Sequence, residues 1–311
     1  MAAGTRFLVL GWAGFIGSHV VELLAALGHE VRVVSRRDRT MLFGVPGVDY
    51  VQGDWRDPAT ITSALADVGC VIHADSATTP GTADADPAFD VTANLLPVPA
   101  LLDALAVTGV RRLVYLSSGG MIYGPAETLP IVEDHPLRPL GSYGIVKMAA
   151  EAHIAAAARN RGLCPVILRP SNTYGERQGR DGTQGLVNML LGKALGGGLV
   201  EIWGDGTMVR DHLHVHDLAR LCVMSALGGT TGVFNAGTGV GTSVRELIAR
   251  VSEVTGRELR VRYGPERSID VPASILDVSR ARDAFGWTPR IALREGLERT
   301  WAWHQAGRKT P

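Results

Sequence analysis

Phe7, Leu8, Val9 and Leu10 run into a turn punctuated by Gly11, Gly14 and Gly17, after which Ile16, Val20, Leu24 and Leu27 recur at helical spacing. The change of period across three glycines reads as strand, tight turn and helix. Such a turn lets a pyrophosphate approach the backbone and the helix pack closely on its strand. The unpaired N–H groups at the helix start, around Phe15 and Ile16, attract anionic oxygens. A glycine triplet alone also occurs in unrelated α/β loops; between a strand and a helix it predicts a bound dinucleotide.

The rest of the chain sets the frame for that unit. With 311 residues, 46 % of them apolar, it can build one large α/β domain and a smaller one. Lys plus Arg and Asp plus Glu both number 31, so no bulk charge draws the protein to nucleic acid or an anionic membrane, and any anion must be held by local groups. Cys70, Cys164 and Cys222 are too few and too scattered for a disulfide framework or a C-x-x-C metal site. No signal-peptide layout and no uninterrupted apolar run of about 20 residues is present. A soluble cytoplasmic protein is expected.

A second strand over residues 31–34 ends at Ser35 and Arg36. A carboxylate there would bond the adenosine ribose of NAD, whereas a small residue followed by Arg suits the 2′-phosphate of NADP, so this pair leans toward NADP. Strands over 48–51, 70–73 and 113–117 alternate with helices from about residue 58, over 87–108 and from Ser142. A parallel doubly wound sheet of Rossmann type follows, with a smaller C-terminal α/β substrate domain. The expected division is residues 1–168 for the dinucleotide and 169–311 for the substrate, with part of about 216–243 packing back on the first unit.

Tyr143 and Lys147 stand four apart on one helical face. An ammonium beside a phenol favours the phenolate, turning a group whose ordinary pKa is about 10 into an acid and base usable near neutrality. An isolated Tyr-x-x-x-Lys is commonly an ordinary amphipathic helix. Joined to the glycine turn and to Ser117-Ser118 at a strand end, the pair reads as catalytic.

The G-x-x-G-x-x-G spacing, this pair and Leu116-Ser-Ser-Gly-Gly-Met-Ile-Tyr-Gly resemble the extended short-chain dehydrogenase/reductases acting on nucleotide sugars, in particular UDP-hexose 4-epimerases, over nearly the whole chain. The resemblance implies adenine contacts from Asp54 and Trp55, a cofactor-side loop at Ala74, an Asn94 that props the active-site helix, and Lys147 on the nicotinamide ribose. A turn and N-cap before the helix at residue 58 is the structural alternative for Asp54. His73 reads as a packed strand residue. Four before Tyr123, where relatives carry the Ser or Thr that bonds the substrate, stands Gly119. Either the nearest hydroxyl, Ser118, takes that role or a water fills the space.

Further on, Arg169-Pro-Ser-Asn-Thr-Tyr-Gly-Glu-Arg-Gln, the Gly-Asp-Gly run with Arg210-Asp211, and Arg267-Ser-Ile-Asp270-Val-Pro resemble the family's substrate loops. By that likeness Asn172, Arg210 and Arg267 meet the diphosphate, Asp270 a ribose or its loop, Ser274 limits the C2 substituent, and Thr79 and Trp203 line the site. An ion pair of Arg210 with Asp211 is the structural alternative. His212, His214 and His216 would share one strand face, but steps of about 7 Å are too wide for one ion, so no metal is expected. The reading is a nucleotide-sugar 4-epimerase for UDP-hexoses or UDP-N-acetylhexosamines, using NAD or NADP, dimeric through a four-helix interface of residues 87–108 and 142–161. An NADPH-dependent 4-ketosugar reductase or a dehydratase stays open, the latter disfavoured by the lack of an Asp-Glu pair in the Ser-Gly-Gly run. A non-catalytic dinucleotide sensor stays open as well.

Overall fold

The computed structural model describes residues 5–36, 45–179, 185–266 and 270–307. Strand β1 (Arg6–Leu10) is followed by α1 (Phe15–Ala26), β2 (Val31–Ser35), β3 (Val48–Gln52), α2 (Pro58–Ala64) and β4 (Val68–His73). After a broken helical stretch come α3 (Pro97–Thr108), β5 (Arg112–Leu116), α4 (Ser142–Arg161), β6 (Cys164–Pro170), α5 (Val215–Leu227) and β7 (Gly232–Ala236). The seven strands form one parallel sheet in the order β7-β6-β5-β4-β1-β2-β3.

Period-two alternation divides each strand between two apolar layers. Phe7 and Val9 join Ile72, Val114, Leu168 and the buried faces of α1 and α5. Leu8 and Leu10 join Val71, Leu113, Tyr115 and residues from α2, α3 and α4. Both faces of the sheet are therefore covered, as a parallel sheet requires. β7 reaches its edge place beside β6 after the chain has built the first part of the second lobe.

Two expectations and one alternative need correction. The helix over 87–108 is broken: Pro87–Asp90 leads into a wide turn, Val91–Leu95, in which Leu96 N donates to Val91 O at 3.0 Å, before α3 begins at Pro97. Pro97 has no N–H to offer the preceding turn, so the helix widens there. Pro87–Thr108 is long and apolar enough to cross a membrane, yet α3 lies on the second apolar layer against α4. The residue capping α2 is Asp57, whose carboxylate accepts from Thr60 N, and not Asp54. Finally, the strand carrying His212 ends at His214 and α5 starts at Val215, so His216 lies on a helix.

The second lobe is a small sheet in which Val209–His214 pairs with Asn172–Tyr174, Gly241–Ser243 and Ala273–Ser274. A two-stranded ribbon, Leu199–Trp203 with Arg260–Gly264, lies beside it. Helices Leu186–Gly196, Val244–Thr255 and Leu293–Gln305 enclose a third apolar cluster around Leu190, Leu247, Leu297 and Trp301. Ser243 and Glu246 form a reciprocal capping box at the start of Val244–Thr255, which fixes where that helix begins.

Candidate active site

The glycine turn closes against the end of β4. Gly11 has φ +81°, and a Cβ there would lie 2.5 Å from Asp75 N; a Cβ on Gly17 would run into the Gly11 carbonyl. Gly14 caps α1 with no side-chain hydrogen bond, and no acidic residue lies in the first turn with Phe15 and Ile16. A helix start left uncapped beside a turn that excludes side chains fits a dinucleotide pyrophosphate.

At the adenosine end Ser35 closes β2 and Arg36 is exposed. Asp54 is chelated by Arg56, whose Nε meets Oδ1 at 2.9 Å and whose Nη2 meets Oδ2 at 2.5 Å, and this contact lowers its carboxyl pKa. Trp55 is buried and donates its indole N–H to Asp75 Oδ2 at 2.7 Å. Ala74, half-buried, donates its N–H to Leu10 O at 2.9 Å, which fastens the cofactor-side loop to β1. His73 packs between Trp55 and Tyr115, and burial pushes its pKa down to about 4.

Tyr143 and Lys147 lie on the first turns of α4. The ammonium is buried, donates to Leu116 O at 3.0 Å and stands 5.6 Å from the Tyr143 ring centre. Burial lowers the Lys147 pKa to about 8, opposed by the charges of Asp75, Asp90 and Glu151. Burial pushes the Tyr143 phenol up to about 12, opposed by a hydrogen bond with Ser76. The expected acidification of the phenol by Lys147 is thus outweighed by desolvation in the protein alone.

A Cβ on Gly119 would sit 2.5 Å from Leu276 Cδ1 and 2.8 Å from Arg169 O, so a side chain at that position would be directed into packed protein. Ser118 is buried, and beside it the Ser117 hydroxyl is buried with no hydrogen-bond partner among the described residues. The Asn172 carboxamide reaches the same loop, its Oδ1 3.2 Å from where a Gly120 Cβ would lie.

The small sheet gathers substrate candidates: Asn172 is in register with His212, and Ser274 with Arg210. Arg210 bonds Val209 O at 2.9 Å. Asp211 points elsewhere, holding the Thr238 and Gly239 backbone N–H groups and the Thr238 hydroxyl, because neighbours on a strand face opposite ways. Ser274 is buried. Trp203 is exposed on the outer ribbon, and the Thr79 hydroxyl is engaged with Thr82 in a capping box. Asp270 is half-buried, and Arg267 lies outside the described residues.

Residues 7–237 match the model of the NAD dependent epimerase/dehydratase family. The chain belongs to that family. It is 35 % identical to a UDP-glucose 4-epimerase of Mycolicibacterium smegmatis, over 95 % of this chain and 97 % of that one. Among solved structures it is similar to UDP-glucose 4-epimerase of Thermotoga maritima with UDP-glucose (33 % identity, TM-score 0.92, covering 97 % and 99 % of the two chains). It is also similar to UDP-glucose 4-epimerase of Thermus thermophilus in complex with NAD (33 %, TM-score 0.90, 98 % and 100 %).

In this chain the helix bearing Tyr143 is held, beside the expected Asn94, by Asp90, Asp84 and Glu151, which the sequence reading passed over. Asp90 is fully buried; its Oδ1 accepts from Thr78 Oγ1 at 2.7 Å and Asn94 Nδ2 at 2.8 Å, and its Oδ2 accepts from Ser142 Oγ at 2.8 Å. Asn94 also accepts from Ala77 N at 2.8 Å, fixing the loop that carries Ser76. Asp84 receives the Ser142 N–H at 2.8 Å. Two turns along α4, Glu151 forms a two-pronged buried pair with Arg169, at 3.0 and 2.6 Å, and Arg169 in turn meets Tyr123. The i, i+4 spacing of Asp90 and Asn94 was a visible signal; the partners of Glu151 and Asp84 are distant in sequence and were not.

Proposed function

We propose that this protein is an NAD-dependent nucleotide-sugar 4-epimerase acting on a UDP-hexose, by transient oxidation at C4. The observation that carries the reading is that Tyr143 and Lys147 stand at the carboxyl ends of β4 and β5 beside a glycine turn shaped for a dinucleotide, on a helix held by Asp90 and Asp84. NAD, when bound, supplies a hydride acceptor that can return the hydride to either face of the sugar.

The chain's own residues do the rest. Tyr143 takes the proton from the sugar hydroxyl and later returns it, a role that needs added positive charge to offset the desolvation that raises its pKa. Lys147, charged below about pH 8, supplies part of that charge and would hold the nicotinamide ribose of a bound cofactor. Ser118 offers its hydroxyl to the sugar oxygen. Gly11, Gly14, Phe15, Ile16 and Gly17 hold the pyrophosphate and Asp54 the adenine side. Asn172 and Arg210 clamp the substrate diphosphate, so that the sugar rests at near-attack distance.

The protein is expected to interconvert UDP-glucose and UDP-galactose without added reductant. Turnover that requires stoichiometric NADPH would instead support the 4-ketosugar reductase, the reading favoured by Ser35 and Arg36 where an NAD-binding strand would end in a carboxylate. We further infer a cytoplasmic homodimer through Pro87–Thr108 and α4, supported by the exposure of Phe89, Leu96, Val107 and Ile145.

A further inference from the structure

We propose a divalent transition-metal site, of the kind that takes Zn²⁺, formed by His19, Glu176 and His216. It lies where α1, the loop after Asn172–Tyr174 and the first turn of α5 meet. One ligand atom from each of the three residues lies within 4.8 Å of the others.

The hydrogen bonds fix which atoms are available. His19 Nδ1 lies 2.8 Å from Phe15 O, and a carbonyl can only accept, so Nδ1 carries the proton and Nε2 keeps its lone pair. His214 is the reverse case. Its Nδ1 accepts the His216 backbone N–H, which leaves the proton on Nε2, and that atom faces Glu176 Oε2 at 3.4 Å. With its proton on Nε2 and its Nδ1 lone pair taken by the His216 N–H, His214 is not a ligand. A metal-binding His that donates its other ring N–H to a backbone carbonyl, as His19 does to Phe15 O, is a usual support of such sites.

A further observation points to an occupant. Glu176 Oε2 is buried with no hydrogen-bond partner among the described residues. An ionised carboxylate oxygen buried beside two imidazoles is costly unless a cation meets it. The nearby cation Arg177 is committed to Glu22 at 2.5 Å. Ligand atoms about 2.0–2.2 Å from a tetrahedral ion are about 3.3–3.6 Å apart, close to the 3.7 Å between His216 Nε2 and Glu176 Oε2. The His216 ring is 47 % exposed, so it can rotate to close the set and water can fill the remaining position. Two imidazoles and one carboxylate suit zinc better than calcium or magnesium, which prefer all-oxygen sets.

The test is titration of untagged, full-length protein with ZnCl₂ by calorimetry, with Co²⁺ absorption reporting nitrogen ligation. One Zn²⁺ per chain is expected, weakened at least tenfold in Glu176→Gln and in His216→Ala and unchanged in a His153→Ala control. Zn²⁺ should raise the Tm of the wild type but not of Glu176→Gln. Glu176→Gln keeps the side-chain shape and His216 is half-exposed, so circular dichroism should show both variants folded. No binding, or binding that neither variant weakens tenfold, overturns the proposal. Since neither residue belongs to the catalytic set, the result stands apart from any assay of epimerase activity.

Discussion

The Ser142 hydroxyl donates to Oδ2 of Asp90 at 2.8 Å, linking the residue before Tyr143 to a helix 52 positions earlier. Asp90→Ala would leave Thr78, Asn94 and Ser142 without their shared acceptor. Bonds to a charged group contribute about 1.5–3 kcal/mol, so a loss of at least that size is expected in urea unfolding. A fall in kcat of about tenfold or more should accompany it, because small displacements at a reacting centre are costly. A variant with unchanged midpoint and turnover would show that the link holds nothing.

Removing the phenolic oxygen in Tyr143→Phe should lower kcat by about 10²–10⁴ while the fold persists, as the ring keeps its packing. Stopped-time chromatography of UDP-glucose and UDP-galactose provides the check; undiminished conversion would end the proposed mechanism.

Lys147 sets an alkaline limit. Its folded pKa is lowered to about 8 from 10.5 by burial, so activity that needs the ammonium should decline as pH rises through about 8. Between those two values the unfolded chain holds more protons, so this residue's effect on stability becomes less unfavourable with rising pH even as catalysis fades. Lys147→Arg, charged throughout, should move or remove that limb of the pH–rate profile.

Gly119→Ser, which restores a hydroxyl at the position relatives use, is expected to destabilise and not to activate. The new Cβ meets Leu276 at 2.5 Å and the Arg169 carbonyl at 2.8 Å, and overpacking of this kind costs about 1–3 kcal/mol. Ser118→Ala should be the variant that loses turnover. The opposite pair of results would return the role to residue 119.

Glu151→Gln should destabilise by about 3–5 kcal/mol, since breaking a buried pair leaves the Arg169 guanidinium without its counter-charge. Thermal unfolding gives the measure. Glu151→Gln together with Arg169→Met should recover part of the loss.

The sheet was legible because its strands are short apolar runs separated by glycine and helical periodicity, and Tyr143 and Lys147 because four residues make one helical turn. Period could not show that the helix over 87–108 would widen, since that depends on the missing N–H of Pro97. It also could not show that Asp54 is bonded by Arg56, or that Gly119 is sealed by Leu276, a residue 157 positions away and brought there by the fold. The histidines show the same limit. Their alternation suggested one strand face, but the strand stops at His214, and the group that assembles includes His19 and Glu176 from elsewhere in the chain.

The late arrival of β7 and α5 means that the two lobes cannot be cut apart in sequence order. A fragment ending near residue 168 would lack the helix that covers α1 and the strand that shields the edge of β6. Its naked edge and uncovered apolar face would invite self-association, so truncation at that boundary should yield insoluble material, and any split version must carry residues 215–236 in trans.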